Sequence, residues 1–301
     1  LNQPMDNMTS QTSPASTAES EFLAFPSPAK LNLFLHIVGQ RDNGYHELES
    51  IFQFLDYGDT IAIRKTTSAE IKLLTPIAGV NHDDNLIVKA AKLLQQTTSC
   101  QLGAEIKVTK RLPMGGGIGG GSSNAATVLL ALNKLWKTNV SDVELSELGL
   151  SLGADVPIFV HGHAAFAQGV GEKLTAVNPK EHWYLVVHPN VHISTAEVFT
   201  APELTRDTPR LPKGEIDIES CHNDCQPTVI NRYPEVANLL SWLIEYAPSR
   251  MTGTGACIFS RFDTQQEALQ LQEKLPPGNT SFVAKGANIS SMRKAINALN
   301  I

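Results

Sequence analysis

The sequence predicts an α+β protein with two lobes, and three observations carry that prediction. Strand-like and helix-like segments alternate along the 301 residues without the strict rhythm of a doubly wound parallel sheet. With 42% hydrophobic and 18% charged residues, the chain is long and apolar enough to bury two moderate cores. Between residues 113 and 126, six glycines surround a single Ile118, directly before a helix-forming run. We therefore expect one lobe to carry a binding loop built from backbone groups.

The first lobe is predicted to begin near residue 21, after an extension over residues 1–20 that is rich in Ser, Thr, Gln and Asn and that we expect to be disordered. Alternating apolar and polar residues predict four strands, with turns at 42–44 and 57–59 between them, over residues 30–38, 47–55, 60–65 and 104–110. Apolar residues at helical spacing predict three helices, the first behind a capping Asn85, over residues 86–96, 123–136 and 141–152. An apolar strand is expected directly after Asp155.

The second lobe is predicted to follow a hinge near residues 162–171, which divides the chain into domains of residues 21–165 and 166–301. Short apolar runs predict strands over residues 184–188, 256–262 and 282–285. Helical spacing predicts further helices over residues 193–199, 234–246 and 264–275, and a last one that ends at residue 299.

Charge and composition exclude several partners. The net charge of −6 argues against nucleic acid and anionic membranes, because phosphate backbones and anionic lipids select basic faces. No apolar run reaches the length of about 20 residues that a membrane span needs, and the N-terminus lacks the order of a signal peptide, so we expect a cytoplasmic protein. No sequence feature reports the oligomeric state, since there is no long apolar stripe at heptad spacing, and we expect a monomer or a weak homodimer. The four scattered cysteines predict free thiols.

The glycine-rich segment has the composition of a phosphate cradle. Glycine lacks the Cβ that would keep a charged oxygen away from the backbone, and it permits the positive φ angles that turn successive N–H groups into one concavity. A helix directly after the loop adds unpaired N–H groups and the positive end of its dipole. The alternative is a flexible Gly/Ser linker. A linker is not expected between a strand and an amphipathic helix inside a compact domain.

Two familiar phosphate-binding motifs fit this loop poorly. A Walker A loop requires Lys-Ser or Lys-Thr after its last glycine, whereas this chain has Ser122-Ser123 there. The string also satisfies G-x-G-x-x-G, as any glycine tract does, but a dinucleotide fold needs an acid at the end of a second strand about 20 residues later. The nearest acid is Asp142, which the pattern places between two helices.

Three polar features near the loop are candidates for chemistry. Lys30 and Asn32 fall on one face of the first strand, with apolar neighbours on the other face; the alternative is a solvated edge strand. Asp155 is a lone carboxylate between a helix end and an apolar run, where it could also cap a turn. The second glycine turn, residues 251–256, is either a further anion-binding nest or a tight entry into the next strand.

Taken together, these segments resemble the motif set of the GHMP kinase superfamily, in order from about residue 26 to the C-terminal helix. The matching motifs are Pro28-Ala-Lys30-Leu-Asn32-Leu, Gly44-Tyr45-His46, residues 113–126, Gly153-Ala-Asp155-Val-Pro157 and residues 252–256. The six-glycine loop and the Gly44-Tyr45-His46 segment resemble in particular the branch that acts on a diphosphocytidyl-methylerythritol substrate. This resemblance implies a ribosomal-S5-like α/β lobe and a ferredoxin-like C-terminal lobe, with the active site in the cleft.

The resemblance also implies an activity and residue roles. The activity would be ATP-dependent phosphorylation of the substrate's 2-hydroxyl, in non-mevalonate isoprenoid precursor biosynthesis, with Asp155 as the catalytic carboxylate and Lys30 as its cationic neighbour. By the same resemblance, the substrate site would be lined by Asn32, Tyr45, His46, Phe52, Thr195 and Phe199, with Tyr45 and Phe199 stacking on the cytosine and His46 reading its edge. ATP would be held by Asn85, Lys110, Pro113, Met114, Gly115, Gly116, Gly117, Gly119, Gly120, Gly121, Ser122, Ser123 and Asn124.

One departure from the superfamily pattern and two alternatives stay open. Other members have a shorter loop and a glutamate that helps to hold Mg²⁺, and no glutamate here can be assigned that role. Mg²⁺ is expected with ATP, held by phosphates, water and Ser123, although its protein ligands stay open. The alternatives are another small-molecule kinase of the superfamily, acting on mevalonate, homoserine or a sugar, and a nucleotide-binding regulatory module. The aromatic residues Tyr45 and Phe199, with His46, favour a nucleobase over a small polyol.

Overall fold

A computed structural model describes residues 21–212, 214 and 216–299. The extension predicted to be disordered, residues 1–20, lies outside the described residues. The strands are β1 Leu23–Gln40, β2 His46–Thr66, β3 Ile71–Leu73, β4 Gly103–Thr109, β5 Ala165–Gly169, β6 Lys173–Ala176, β7 Trp183–His188, β8 Ser249–Met251, β9 Ile258–Phe262 and β10 Thr280–Ala287. The helices are α1 Leu86–Thr98, α2 Gly120–Leu135, α3 Asp142–Leu152, α4 Val156–His161, α5 Thr195–Phe199, α6 Cys225–Arg232, α7 Pro234–Ile244, α8 Gln265–Gln272 and α9 Ser291–Asn297.

One run of paired strands extends through both halves of the chain. Its order is β3-β4-β2-β10-β7-β9-β8, while β1 pairs with β2 in a long antiparallel hairpin and β5 pairs with β2 and β6. The C-terminal strand β10 joins the halves, because it pairs with β7 and also with β2, at Gly286 opposite Leu55. The α+β prediction is confirmed by this arrangement, whereas the domain boundary at residue 165 stays a prediction.

Side-chain caps mark the beginnings of two of the correctly predicted helices. Asn85 accepts a hydrogen bond from the Ile87 N–H with its side chain and begins α1. Ser141 and Glu144 form a reciprocal capping box at the start of α3. Both caps satisfy N–H groups that the helix itself leaves unpaired, which is why these starts are visible in the sequence.

The turn predicted at residues 57–59 is wrong, since β2 runs through these residues without interruption. Gly58 lies opposite Pro28 of β1, next to a register shift in the β1–β2 pairing. A Cβ atom on Gly58 would lie 2.1 Å from the Ser27 carbonyl oxygen, so the glycine permits a close approach of two strands. A glycine of this kind has the same local signature as a turn glycine.

The prediction of an apolar strand directly after Asp155 is wrong. The apolar run after Asp155 forms helix α4, with Pro157 in its first turn and Gly162 as a left-handed C-cap, and is not a strand. The predicted hinge segment contains β5, which pairs with β2 from Phe52 to Leu48. Short apolar runs do not distinguish a buried strand from a buried helix, and here the proline and glycine at the two ends mark the helix.

All four cysteines are free thiols, as predicted. Over residues 21–212, 214 and 216–299, no helix combines the length and the apolar character needed to cross a membrane. The same residues contain no group of three or more His, Cys, Asp or Glu side chains placed to hold a metal ion.

Candidate active site

The glycine loop lies between β4 and α2 and leads directly into the helix N-terminus. Gly119 is the N-cap of α2 with φ 75°, and Gly115 and Gly117 also have positive φ, at 69° and 71°. No side chain caps the first turn of α2. The unpaired N–H groups and the positive end of the α2 dipole are therefore available to an anionic ligand at the loop.

The second glycine turn, residues 251–256, stabilises the glycine loop through hydrogen bonds. The Ala256 and Cys257 N–H groups donate to the carbonyl oxygens of Gly115 and Gly116, at 3.3 and 3.1 Å. A Cβ atom on Gly117 would lie 2.5 Å from the Thr252 carbonyl oxygen, so only glycine fits there. The turn forms a tight entry into β9 and also fixes the path of the loop, while its role as an anion-binding nest stays a prediction.

A cavity of about 350 Å³ lies along the glycine loop; we call it the nucleotide cavity. Two apolar residues that the sequence did not single out, Ile77 and Val80, line one side of it. The residues predicted to hold ATP that line this cavity are Asn85, Lys110, Pro113, Met114, Gly115, Gly116, Gly117, Gly119, Gly120, Gly121, Ser122 and Asn124. The structure therefore brings together twelve of the thirteen residues predicted for ATP, and their roles stay predictions. The thirteenth, Ser123, has a fully buried side chain that accepts a hydrogen bond from the Ser27 hydroxyl at 2.9 Å.

The Asp59 side chain contacts residues on both sides of the glycine loop. The sequence did not indicate this role. Its carboxylate is fully buried and forms an ion pair with the Lys110 ammonium group. It also accepts hydrogen bonds from the Arg111 and Leu112 N–H groups, at 2.8 and 3.0 Å, and from the Asn124 amide at 3.1 Å. One carboxylate thus holds residues 110–112, between β4 and the loop, and Asn124 in the helix after the loop. The available signal was a lone acid beside an apolar strand pattern, which a turn at residues 57–59 explains equally well.

A second cavity, of about 290 Å³, adjoins the first and shares Gly117 and Ser122 with it; we call it the acceptor cavity. Four of the six residues predicted for substrate line it, together with both residues predicted for catalysis: Lys30, Asn32, Phe52, Asp155, Thr195 and Phe199. The two cavities therefore meet beside Ser122, at the first turn of α2.

Lys30 is the charged centre of the acceptor cavity. Only 2% of its side chain is exposed, and its Nζ atom lies 3.2 Å from Asp155 Oδ2. The ammonium group also donates to Asn32 Oδ1 at 2.6 Å and to the Gly117 carbonyl oxygen at 3.2 Å. A buried charge requires partners of this kind, so the alternative of a solvated edge strand is excluded.

Asp155 precedes α4 at the mouth of the cavity. It occupies the N-cap position but makes no side-chain capping bond, and 37% of its side chain is exposed. The alternative of a capping role is therefore not what the structure shows. One side of the carboxylate faces Lys30, and the exposed part is available to a hydroxyl group that enters the cavity.

The remaining aromatic residues lie at the edge of the acceptor cavity. The rings of His46 and Phe199 are stacked, with centroids 5.0 Å apart and an angle of 24° between the planes. His46 Nε2 accepts a hydrogen bond from Arg206 Nε at 3.1 Å, which places the ring proton on Nδ1. Burial, and then the Arg206 charge, lower the pKa of His46 below its ordinary value. Tyr45 is 62% exposed in the turn before β2 and does not line the acceptor cavity, so its stacking role stays a prediction.

Two side chains, one of them in the second glycine turn, position the catalytic strand. The Thr252 hydroxyl accepts a hydrogen bond from the Asn32 N–H at 2.8 Å. The Ser50 hydroxyl accepts another from the Asn32 side-chain amide, also at 2.8 Å. Because Asn32 in turn holds the Lys30 ammonium group, these contacts fix the charged centre. Ser50 had no sequence signal, and Thr252 stood out only as part of the second glycine turn, because the local sequence does not show which side chain contacts Asn32.

Comparison with known proteins identifies the family of this chain. The model of the GHMP kinases N terminal domain matches residues 85–163, and that of the GHMP kinases C terminal domain matches residues 212–277. A 4-diphosphocytidyl-2-C-methyl-D-erythritol kinase from Colwellia psychrerythraea is 60% identical over 284 residues, which are 93% of this chain and 95% of that protein. The protein of the same name from Shewanella woodyi is 58% identical over 90% of this chain and 95% of its own length. The chain belongs to the 4-diphosphocytidyl-2-C-methyl-D-erythritol kinase family.

Solved structures agree with this assignment. The crystal structure of a 4-(cytidine 5′-diphospho)-2C-methyl-D-erythritol kinase matches with a TM-score of 0.78 and 29% identity, over 88% of this chain and 99% of that one. The mevalonate kinase of Methanococcus jannaschii shares the fold, with a TM-score of 0.65 at 15% identity over 91% of this chain and all of its own. The predicted two-lobed GHMP kinase fold is thereby confirmed. As a member of this kinase family, the chain is an ATP-dependent small-molecule kinase.

Proposed function

We propose that the chain transfers the γ-phosphoryl group of ATP to the 2-hydroxyl of 4-diphosphocytidyl-2-C-methyl-D-erythritol. The observation that carries this proposal is the Lys30–Asp155 pair, at 3.2 Å, in an acceptor cavity that meets the nucleotide cavity at Gly117 and Ser122. A phosphoryl donor and an alcohol acceptor bound in the two cavities would come together beside this pair. Relatives at 58–62% identity carry the name of this kinase, which favours this acceptor over mevalonate, homoserine or a sugar.

In the transfer, the acceptor oxygen forms a bond to the γ-phosphorus while the bond from that phosphorus to the β,γ-bridging oxygen breaks. The acceptor proton leaves to the Asp155 carboxylate, and ADP takes the bond electrons. A carboxylate is a weak base toward an alcohol, so in a loose transition state the proton leaves late. Asp155 therefore acts mainly by aiming the hydroxyl oxygen, and accepts its proton as the new bond forms.

Lys30 supplies the positive charge beside the reacting groups. Its ammonium group is held by Asn32 and by the Gly117 carbonyl oxygen. The group therefore needs no reorganisation when the negatively charged phosphoryl group moves toward the acceptor. Gly117 also lines the nucleotide cavity, which puts Lys30 next to the loop that holds the phosphates. We assign Lys30 to stabilising the transferring phosphoryl group and to orienting Asp155.

The loop N–H groups would hold the ATP phosphates, with Lys110 as the cation beside them. Mg²⁺ fits such a site: the ion prefers oxygen ligands, keeps several waters and is held largely by substrate phosphates, so a protein cage of carboxylates is not required. The sequence suggested Ser123 as a protein ligand, but its hydroxyl is buried and bonded to Ser27, so we assign this role to Ser122, which lines both cavities. When bound, Mg²⁺ would neutralise charge on the phosphates.

The nucleobase of the acceptor would lie at the His46–Phe199 stack, at the edge of the acceptor cavity. Phe199 offers an aromatic face, and Tyr45, exposed in the adjacent turn, could supply a second one. We further propose that the protein works in the cytoplasm as a monomer or weak homodimer, on small molecules and not on nucleic acid or membranes. The net charge of −6 supports the last point.

A substrate panel tests the proposal. ADP release would be measured with ATP, Mg²⁺ and one of four acceptors: the diphosphocytidyl compound, free methylerythritol phosphate, mevalonate or homoserine. We expect turnover only with the diphosphocytidyl compound. Faster turnover with mevalonate or homoserine would assign the chain to another kinase of the superfamily. ATP binding without phosphorylation of any acceptor would favour a regulatory module.

A further inference from the structure

A third cavity, of about 660 Å³, is larger than the nucleotide and acceptor cavities and lies away from the glycine loop; we call it the back cavity. It is separated from the acceptor cavity by two strands. On β1, Asn32 lines the acceptor cavity whereas the next residue, Leu33, lines the back cavity. On the other side, Arg250 of β8 lines the back cavity whereas Gly253 and Thr254, just after β8, line the acceptor cavity. The back cavity is thus distinct from both substrate cavities.

The floor of the back cavity is apolar and aromatic. Leu33, Tyr184 and Phe259 are each at most 6% exposed, and the Tyr184 and Phe259 rings meet edge to face with centroids 5.7 Å apart. At the rim, Ile244 and Tyr246 are 57% and 51% exposed. A volume of this size with apolar walls is typical of sites for small organic molecules.

The Arg250 side chain differs from the other charged groups of this cavity in its hydrogen-bond partners. Its Nη1 atom donates to the carbonyl oxygens of Leu33 and Ile218, at 2.5 and 3.4 Å. In the part of the chain that the structure describes, no carboxylate lies within 4.0 Å of this guanidinium group, and its Nε and Nη2 donors make no hydrogen bond. Burial lowers the pKa of Arg250 below its ordinary value, yet a guanidinium group stays charged at neutral pH. A half-buried cation without a counter-charge is a favourable place for an anion.

The other charged groups that line the cavity are already paired or lie at its edge. Arg261 Nη2 donates to Glu219 Oε2 at 2.9 Å, and Lys180 pairs with Asp263 at 2.9 Å. His182 Nδ1 lies 3.4 Å from the same Asp263 carboxylate. Glu245 is exposed next to Tyr246. Among the described residues that line the cavity, Arg250 is therefore the permanent cation without a paired carboxylate.

We propose that the back cavity binds a small organic oxyanion, in which a phosphate or carboxylate head group pairs with Arg250 and an apolar body covers the aromatic floor beneath Tyr246. The Nε and Nη2 donors of Arg250 present the planar fork that either head group accepts in two parallel hydrogen bonds. The apolar floor and the aromatic rim would favour an amphiphilic anion over an inorganic one.

The experiment uses the full-length protein with saturating ADP and Mg²⁺, which keep added phosphate compounds off the glycine loop. Calorimetric titrations would measure phenyl phosphate, benzoate and inorganic phosphate, so that the two head groups and the contribution of the apolar body are separated. We expect saturable binding of phenyl phosphate or benzoate, and weaker binding of inorganic phosphate. Absence of saturable binding by both organic anions would overturn the proposal.

Two variants and one control locate the site. Arg250→Gln should weaken the organic anion by about tenfold or more, since a charge-assisted hydrogen bond is lost. Arg232→Gln, which removes an exposed arginine paired with Glu203, is the matched control and should bind as the wild type does. Because Arg250→Gln also removes contacts to Leu33 and Ile218, Tyr246→Ala provides an independent measurement at an exposed position. It should weaken phenyl phosphate and leave inorganic phosphate unchanged; equal affinities in wild type and both variants would exclude the back cavity.

Discussion

The nucleotide cavity and the acceptor cavity share two residues but are built from different chemical groups. In the nucleotide cavity, the side chains of Asn85 and Asn124 are engaged within the protein, by the α1 cap and by Asp59, so the phosphates are left mainly to backbone N–H groups. In the acceptor cavity, the side chains of Lys30, Asn32 and Asp155 carry the chemistry. Phosphate binding should therefore depend on the path of the chain, and acceptor chemistry on individual functional groups.

The largest effect is expected from a change of one functional group in the acceptor cavity. Asp155→Asn keeps the shape but removes the charge that aims the hydroxyl, so kcat should fall by about 10²- to 10⁴-fold, with ATP affinity little changed. Steady-state ADP release and ATP titration would measure the two quantities. Glu147→Gln, on the exposed face of α3, is the control and should act as the wild type. Near-normal turnover of Asp155→Asn would remove Asp155 from the mechanism.

A matched pair of glycine substitutions tests the claim about the path of the chain. Gly117→Ala puts a Cβ atom 2.5 Å from the Thr252 carbonyl oxygen at a φ of 71°, so the free energy of unfolding should fall by about 3 kcal/mol and ATP affinity with it. Gly121→Ala meets nothing closer than Leu86 at 3.5 Å, and it lies in a helix. Its stability should hold or rise, while the new methyl group at the cavity weakens ATP binding.

Thermal unfolding and ATP titration of the two variants would be compared directly. A Gly117→Ala variant with unchanged stability would show that the second glycine turn does not constrain the loop. A Gly121→Ala variant with unchanged ATP affinity would remove Gly121 from the phosphate site.

Asp59 is expected to act on the nucleotide cavity alone. Asp59→Asn leaves Lys110 and the N–H groups of Arg111 and Leu112 with a poorer acceptor, so stability should fall by about 2 kcal/mol and the KM for ATP should rise. The KM for the acceptor should not change, because Asp59 does not line that cavity. Steady-state kinetics with each substrate varied in turn measures both constants. Equal rises in the two KM values would contradict the separation of the two cavities.

The smallest effect is a pH dependence confined to the acceptor. Neutral His46 accepts the Arg206 hydrogen bond, and because its pKa is lowered, the ring stays neutral at pH values somewhat below the ordinary histidine pKa of about 6.5. As the pH falls below that value and through the pKa of the folded protein, protonation removes the acceptor atom. The KM for the acceptor should then rise, by less than about tenfold for each pH unit below the pKa of the folded protein.

The measurement is the KM for each substrate between pH 5.5 and 7.5, a range around the reference value of about 6.5. His46→Gln offers Arg206 an amide oxygen that does not titrate, so its acceptor KM should be flat over this range. An unchanged pH dependence in His46→Gln would assign the titration to another group.

Local chemistry made much of this protein predictable. Helices α1 and α3 could be predicted because Asn85 and Ser141 satisfy N–H groups within the next few residues. The glycine loop could be predicted because its composition is rare and its function is local. Local patterns also singled out Lys30 and Asp155 as candidates, whereas their catalytic roles and their pairing came from the family resemblance.

What escaped prediction depends on contacts between distant residues. Gly58 resembled a turn residue, because the close approach of β1 that requires it is not visible in the local sequence. Asp59 was missed for the same reason, since the four partners described above lie more than 50 residues away, at separations of 51, 52, 53 and 65. Arg206, which orients His46, is 160 residues from it.

The hydrogen bonds from Ala256 and Cys257 to Gly115 and Gly116 have a consequence for how nucleotide affinity arises during synthesis. A nascent chain that ends before residue 250 contains every residue assigned to ATP but lacks the brace that sets their orientation. Such a truncated polypeptide should bind ATP poorly even when its helices have formed. Competence to hold the cofactor would be acquired late, once the downstream segment has left the ribosome and docked.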